Sequence, residues 1–394
     1  MATRSPPSRT AGAPRADERL IAIRAQDHKN KLIEVFVLAN SVRIISRMAM
    51  QWGYILRVRT RWAGDVDMRD HFGAKAISDF NDLGITSEYI QQFASVKHIE
   101  VELSDSGLKT ADGTPVLDVA SEIPWEYLLS SATQKAGRFE SLLVTRCLTN
   151  SADVMGTKPS NVLFVESAPG RIGQIYGFAD EEARLSAALN LKENDGLTFA
   201  RTETFSRLQD TLRKRAWEAV HITGVDTHQA AWLIEDFYSG VARSADVIDK
   251  SDRLHDGMIL RGDYDRELPV RYDELADLLL ASKKPPGVIT LNLYYSGART
   301  ARELVKRGVY AALGFLDEID DEFAELFFQA FYWAWCHYDN KSIPDAFLNA
   351  WSAMDGDGMH GTSIVIWLGR SMLGHSDTSA NGPAPVKKAR RGGR

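Results

Sequence analysis

Asp226, His228 and Ser296 are the residues of this 394-residue sequence whose types fit a catalytic triad. In such a set the imidazole takes the serine proton and the carboxylate orients the imidazole, so that the serine oxygen can attack a carbonyl carbon. The set would assemble if the loop after Val225 folded back over Ser296. The pair Ser296 and Gly297 is also typical of a helix start, where the serine caps the backbone. The helix start is the favoured interpretation, and a peptidase or hydrolase using Ser296 with His228 is the alternative.

Three further residues have side chains that often do chemistry. Cys147 and Cys336 are too few for a disulfide framework or a zinc knuckle, and each is a second candidate nucleophile for the hydrolase alternative. Cys336 falls in an apolar pattern where a free cysteine is usually packing. His221 lies in an apolar strand, and no Cys, Asp or Glu follows it at metal-ligand spacing. The sequence therefore predicts a core histidine, no metal and no cofactor.

Two apolar strands position these residues. Residues 219–223 and 288–293 are short β-branched runs, and each ends in small or polar residues. In an open α/β sheet, reacting groups and ligands lie at the carboxyl ends of such strands. From residue 96 onward, strand patterns alternate with helical ones, which is typical of a mostly parallel sheet. Within it, residues 96–103 are predicted as a half-exposed edge strand, residues 256–261 as an exposed hairpin strand and residues 320–337 as a long helix.

The region before residue 95 has a different texture. Residues 32–39 show apolar side chains at helical spacing, residues 54–59 could form a strand, and residues 68–94 are again helical in pattern. The sequence thus predicts a mostly helical N-terminal portion over residues 19–94, followed by the main domain over residues 95–372.

Residues 1–18 and 373–394 are predicted as disordered tails, because they offer little apolar surface to bury. Residues 387–394 are basic and could touch an acidic partner or, weakly, nucleic acid, although such runs are usually only solvated. The net charge of −6 gives no case for general nucleic-acid binding. No apolar stretch reaches the roughly 20 residues of a membrane span, and the N-terminus lacks the apolar core of a secretory signal. We expect a soluble protein of the reducing cytoplasm.

The order of several segments resembles the CHAT family of caspase-like domains over about residues 96–370. Each segment alone is weakly specific, and their shared order carries the resemblance. The segments are Ile-Pro-Trp-Glu at 123–126, Ala-Asp-Glu-Glu-Ala at 179–183, Val-His-Ile-Thr-Gly at 220–224, Asp-Gly-Met-Ile-Leu at 256–260 and Tyr-Tyr-Ser-Gly at 294–297. The resemblance implies a caspase-hemoglobinase-like α/β sandwich, with a mostly parallel central sheet and helices on both faces.

The family carries a His-Gly pair after the first of the two central strands and a Cys before Ser-Gly after the second. Here the matching positions are Val225-Asp226 and Tyr294, so the resemblance implies a caspase fold without its dyad. It would act as a binding, scaffold or regulatory component of a prokaryotic defence or conflict system, with a protein or peptide partner such as an active protease or another effector. The residues expected to line the altered cleft are His221, Gly224, Val225, Asp226, Tyr294, Tyr295, Ser296 and Gly297.

Overall fold

The centre of the protein is one large sheet. The computed structural model describes residues 18–58, 66–138, 142–155, 158–170, 172–230, 256–338, 342–354 and 363–373. Within these residues an 11-stranded sheet has the order β2-β1-β3-β4-β13-β12-β11-β8-β5-β7-β6, and β9 and β10 form a separate hairpin. The strands are β1 Arg19–Gln26, β2 Leu32–Leu38, β3 His98–Leu103, β4 Leu143–Cys147, β5 Val162–Ser167, β6 Lys192–Glu193, β7 Gly196–Arg201, β8 Ala219–Gly224, β9 Gly257–Arg261, β10 Glu267–Arg271, β11 Val288–Asn292, β12 Ala311–Phe315 and β13 Ile364–Leu368.

Helices cover both faces of this sheet. Successive strand residues point to opposite faces, so Val220 and Ile222 of β8 join one apolar core, while Ala219 joins the other. Helices α6, α10 and α11 pack on the second core, and the remaining helices pack on the first. The helices are α1 Val42–Val58, α2 Val66–Asp82, α3 Ser87–Phe93, α4 Val116–Glu122, α5 Trp125–Lys135, α6 Ala179–Leu189, α7 Phe205–Lys214, α8 Tyr272–Leu279, α9 Thr300–Lys306, α10 Asp321–His337 and α11 Ile343–Ala353. The predicted α/β class is confirmed.

The sheet contains two groups of parallel strands that run in opposite directions. One group is β12, β11, β8, β5 and β7, and the other is β3, β4 and β13. They meet at the antiparallel pair of β12 and β13. The carboxyl ends of the two groups therefore lie at opposite ends of the sheet. The prediction that residues 219–223 and 288–293 form central strands is confirmed, because β8 and β11 are direct neighbours in the middle of the sheet.

The predicted helix over residues 32–39 is wrong. Residues Leu32–Leu38 form strand β2, whose side chains alternate between buried and half-buried. A segment rich in apolar residues satisfies helical and strand periods at once, and its β-branched and aromatic residues favour the strand. The expected strand over residues 54–59 is also wrong, because α1 continues to Val58. The sheet thus extends across the predicted boundary at residue 94, since β1 pairs with β3.

Two predictions about exposure also need correction. Strand β3 is not an edge strand, because β1 pairs with its outer side and β4 with its inner side. Glu100 in β3 is buried and accepts hydrogen bonds from Ser371 and Met372. The hairpin at residues 256–261 is confirmed, but Met258, Ile259 and Leu260 are buried rather than exposed. The predicted tails lie outside the described residues, apart from residues 18 and 373.

Candidate binding site at the carboxyl ends of β8 and β11

The candidate site lies where β5, β8 and β11 end side by side. Strand β8 pairs in parallel with both neighbours, so that Thr223 lies beside Glu166 of β5 and Asn292 of β11. After β5 the chain turns through α6 to β7, whereas after β8 it continues toward β11 on the other side. Connections that leave in opposite directions open a crevice at the strand ends, and this is where α/β proteins bind ligands.

Val225 fills an apolar pocket just beyond β8. Its side chain is fully buried and packs in a small cluster with Ala168, Ile172 and Ile259. Its carbonyl oxygen accepts a hydrogen bond of 2.9 Å from the backbone N–H of Ile259 in β9. The hairpin therefore covers the strand end. The side chain of Val225 packs in the apolar cluster and supplies no reactive group.

Tyr294 and Tyr295 follow β11 and are partly exposed. The hydroxyl of Tyr294 donates to Asp321 Oδ1 at 2.8 Å, and burial together with the charge of Asp321 raises the pKa of this phenol well above its ordinary value. Tyr295 has a left-handed backbone with φ of 55°, an uncommon conformation for a bulky residue. Its hydroxyl donates to Glu318 Oε1 at 3.3 Å, and its ring packs on the ring of His228 with centroids 4.9 Å apart.

Ser296 ties the ends of two strands together. It is 2% exposed, and its Oγ donates to the carbonyl of Leu293 at 2.7 Å and accepts the N–H of Phe315 at 3.2 Å. A Cβ at Gly314 would lie 2.5 Å from this Oγ, so the approach of β12 requires glycine there. The side chain does not cap the following helix, which starts at Thr300. Ser296 is a buried structural residue of the turn.

His228 forms its contacts away from Ser296. Its Nε2 is hydrogen-bonded with Asp256 Oδ1 at 3.1 Å. Burial alone would lower the pKa of His228, but the hydrogen bond and the charge of Asp256 outweigh it and raise the pKa. Each of these two side chains thus has a hydrogen-bond partner other than the one that the hydrolase alternative requires.

Asp226 is a buried carboxylate with one unused oxygen. It is fully buried, and its Oδ1 accepts the backbone N–H groups of His228 at 2.7 Å and Gln229 at 3.2 Å. Its Oδ2 has no hydrogen-bond partner among the residues that the structure describes. Burial raises the pKa of Asp226 to about 7.

His221 is fully hydrogen-bonded inside the second core. Its Nδ1 bonds with Thr290 Oγ1 at 2.7 Å and its Nε2 with Glu181 Oε1 at 2.9 Å. Thr290 in turn bonds with the hydroxyl of Tyr332 at 2.7 Å, and Asn292 donates to Glu181 at 2.8 Å. This chain of partners agrees with the predicted core histidine.

The sequence missed an acidic group beside this chain. Burial, with the neighbouring Glu182, raises the pKa of Glu166 to about 7. Arg201 donates from two nitrogens to the two oxygens of Glu182, at 2.7 and 2.8 Å. The position of Glu166 at a strand end was the signal that could have identified it. Its neighbour Glu182 lies on a separate helix, so the sequence did not show the pair. No cluster of three metal-ligating side chains occurs among the described residues.

Most of the residues expected to line a cleft are buried. Gly224, Tyr294 and Tyr295 are partly exposed, whereas the other five are not. The buried residues are His221, Val225, Asp226, Ser296 and Gly297. Cys147 is buried and Cys336 half-buried; burial raises the pKa of Cys336 to about 11 and that of Cys147 further. Neither thiol is therefore a ready thiolate at neutral pH.

The molecule is an α/β protein with a candidate site at the carboxyl ends of strands in a mostly parallel sheet. No protein-family model matches the chain, and no curated protein matches it. Among solved structures, the chain is similar to the Arg-specific cysteine proteinase gingipain R at 12% identity, over 78% of this chain and 75% of that one, with a TM-score of 0.40. It is also similar to the Saccharomyces cerevisiae separase–securin complex at 12% identity, over 64% of this chain and 18% of that one, with a TM-score of 0.34.

These two neighbours share little sequence with this chain, so no residue role is transferred from them. Across the described ranges, no helix is both long enough and apolar enough to cross a membrane.

Proposed function

We propose that this chain is a caspase-type domain of the CHAT kind without a catalytic dyad, and that it binds a protein or peptide partner. By its sequence resemblance, the setting is a prokaryotic defence or conflict system, and the partner is an active protease or another effector. The observation that carries the proposal is what occupies the two strand ends. By the resemblance, Val225 takes the position of the family's histidine and Tyr294 that of its cysteine.

Caspase chemistry needs an imidazole to take a proton from a thiol, which then attacks the substrate carbonyl. Val225 has no proton-accepting group and is enclosed in an apolar cluster. Tyr294 is a phenol whose raised pKa keeps it neutral across the physiological range. This pair of residues supports binding rather than bond cleavage.

The partly exposed surface that remains fits peptide binding. Tyr294 and Tyr295 present large aromatic surfaces with polar tips, which is common at binding sites. Gly224 and Asn292 expose part of the adjoining strand ends. An extended segment of a partner can contact these tyrosine rings and hydrogen-bond with backbone groups beyond the strand ends.

The absence of proteolysis is testable with active-site probes. We expect no labelling by cysteine-directed probes that carry aspartate or arginine, and none by a fluorophosphonate directed at serine. A related active peptidase serves as the positive control. Stoichiometric labelling that disappears in Cys147→Ala, Cys336→Ala or Ser296→Ala would instead support the hydrolase alternative.

Peptide binding is testable with a phage library of random linear peptides. We expect selected peptides to lose at least tenfold in affinity for Tyr294→Ala and Tyr295→Ala. The matched control is Tyr338→Ala, because Tyr338 is 50% exposed and follows the far end of α10, roughly 25 Å from Asp321 along that helix. Equal binding by all three variants would place the peptide site elsewhere.

A further inference from the structure

The outer edge of β2 is unusually open to pairing. Among the described residues, β2 is the last strand of its side of the sheet and pairs with β1 alone. It is seven residues long, contains no proline and has one charged residue, Glu34. Natural edge strands are normally shortened, charged or interrupted by proline, because a bare edge accepts a further strand.

The opposite edge of the sheet shows that protection. Strand β6 has only two residues, and both are charged and exposed, namely Lys192 and Glu193. Asn190 and Asn194 on either side of it adopt left-handed backbone conformations, so the extended edge stops there. Within the described ranges, one side of the sheet thus ends in a two-residue charged strand, whereas the other ends in a seven-residue strand that is largely apolar.

The register of the β1–β2 hairpin shows which backbone groups face outward. The N–H of Asp27 donates to the carbonyl of Lys31 at 3.0 Å, and the same register pairs Ile23 with Val35. Backbone groups alternate in direction along a strand. Val35 therefore bonds inward to β1, whereas the N–H and C=O of Leu32, Glu34 and Phe36 face outward.

We propose that β2 pairs antiparallel with β2 of a second copy of this chain, with the two-fold axis at Val35. This inference is independent of the proposed function. The register places Glu34 opposite Phe36 of the partner subunit, and Leu32 opposite the partner's Leu38. A shift that centres the axis on Glu34 would oppose two carboxylates, and one that centres it on Phe36 would leave fewer strand residues paired.

Charge also favours the register centred on Val35. The Arg19 guanidinium lies 3.9 Å from the centroid of the Phe36 ring. In this register Phe36 faces the partner's Glu34, so Arg19 comes close to a carboxylate of the second copy, and symmetry repeats the contact. Glu34 is already paired with Arg24 in its own chain at 2.5 Å, so the edge carries little net repulsion into the dimer.

The test is sedimentation velocity of the full chain over a dilution series from about 1 to 200 μM. Seven-residue edges form a small interface, so we expect a dimer that dissociates on dilution, with a Kd on the order of 10 μM. Phe36→Pro removes an outward N–H without touching the ladder to β1, and we expect it to be folded and monomeric. Phe36→Val keeps that N–H and is the matched control, with a Kd within a few-fold of the wild type.

Phe36→Lys tests the register and does not depend on proline being tolerated. In the Val35-centred register, the introduced lysine faces the partner's Glu34, so the dimer should persist and tighten several-fold at low salt. A wild-type monomer at about 200 μM would overturn the proposal. So would a folded Phe36→Pro variant that dimerises as the wild type does, or loss of the dimer in Phe36→Lys.

Discussion

Two buried carboxylates in this molecule differ in whether both of their oxygens accept hydrogen bonds. Glu126 on α5 receives hydrogen bonds on both oxygens from Arg146, at 2.8 and 2.6 Å. Asp226 beyond β8 receives two backbone N–H groups on one oxygen, and none of the described residues bonds to the other. Arg146 also donates to the carbonyls of Ser121 and Ile123, so the first group is complete. A completely hydrogen-bonded polar group stabilises a fold, whereas a buried carboxylate with an unpaired oxygen costs stability.

The largest effect should come from breaking the complete pair. Arg146→Met would leave Glu126 buried without its cation, and we expect a loss of about 3–5 kcal/mol in the free energy of unfolding. Urea unfolding at pH 7 measures it. Arg201→Met is the control, because Arg201 also pairs with a glutamate but is 45% exposed, and it should cost less than about 1 kcal/mol. Similar losses of unfolding free energy in both variants would contradict the distinction between the buried pair and the exposed one.

A second complete group should show an intermediate effect. Thr290 Oγ1 connects His221 to Tyr332 inside the core. Thr290→Val keeps the shape but removes the hydroxyl, which leaves two buried polar groups unpaired, and we expect a loss of about 1–3 kcal/mol. Thermal unfolding at constant pH measures it. Tyr332→Phe removes only the outer partner and should lower the free energy of unfolding less than Thr290→Val does. The reverse order would mean that His221, Thr290 and Tyr332 do not form one continuous series of hydrogen bonds.

The incomplete group should respond in the opposite direction. The pKa of Asp226 is raised from 3.8 to about 7 in the folded protein, so its favourable contribution is present below pH 3.8 and is lost as pH rises toward 7. Asp226→Asn keeps an oxygen for the two N–H groups and has no charge to bury. We expect this substitution to stabilise the fold by about 1–2 kcal/mol at pH 8 and to make little difference at pH 4. Thermal unfolding at both pH values decides this, and a variant less stable at pH 8 would refute it.

The smallest effect should come from the half-exposed phenol at the second strand end. Tyr294→Phe removes one hydrogen bond to Asp321, and we expect a change of less than about 1 kcal/mol in stability. The raised pKa of Tyr294 is visible separately by absorbance titration of the tyrosines between pH 9 and 12. Tyr294→Phe and the wild type should therefore show the same number of tyrosines that titrate in the ordinary range near pH 10. One fewer in the variant would show that Tyr294 ionises normally.

The sequence predicted the elements whose patterns are local. Strands β8 and β11 and the long helix α10 were placed within about a residue of their ends, because their apolar runs end at clear polar or helix-starting positions. Strand β2 was missed because an almost continuously apolar segment satisfies both helical and strand periods. The wrong edge assignment of β3 follows from that error, since β1 and β2 are what cover it.

The candidate site was only partly predictable, for reasons of distance along the chain. Tyr294 and Val225 were located from the strand ends, yet the burial of Val225 depends on Ile259 in a hairpin that the sequence indicated as exposed. The partners of His221, Ser296 and Asp226 come from elements far apart in sequence or from backbone groups in tight turns. Hydrogen bonds of this kind leave no periodic signal in the sequence.

The strand order fixes the distance between the β8 strands of the two copies in a dimer, and this distance matters for avidity. In a dimer joined at β2, the β8 strands of the two copies lie about fifteen strand spacings apart, or roughly 70 Å across the strands, and their carboxyl ends point to opposite ends of the sheet. With the proposed peptide site in each copy, such a particle would be bivalent. A partner with two copies of the recognised segment on a linker that spans this distance would bind both sites, and its second binding event would be intramolecular. Partners with shorter linkers would bind each copy separately and gain nothing from the dimer.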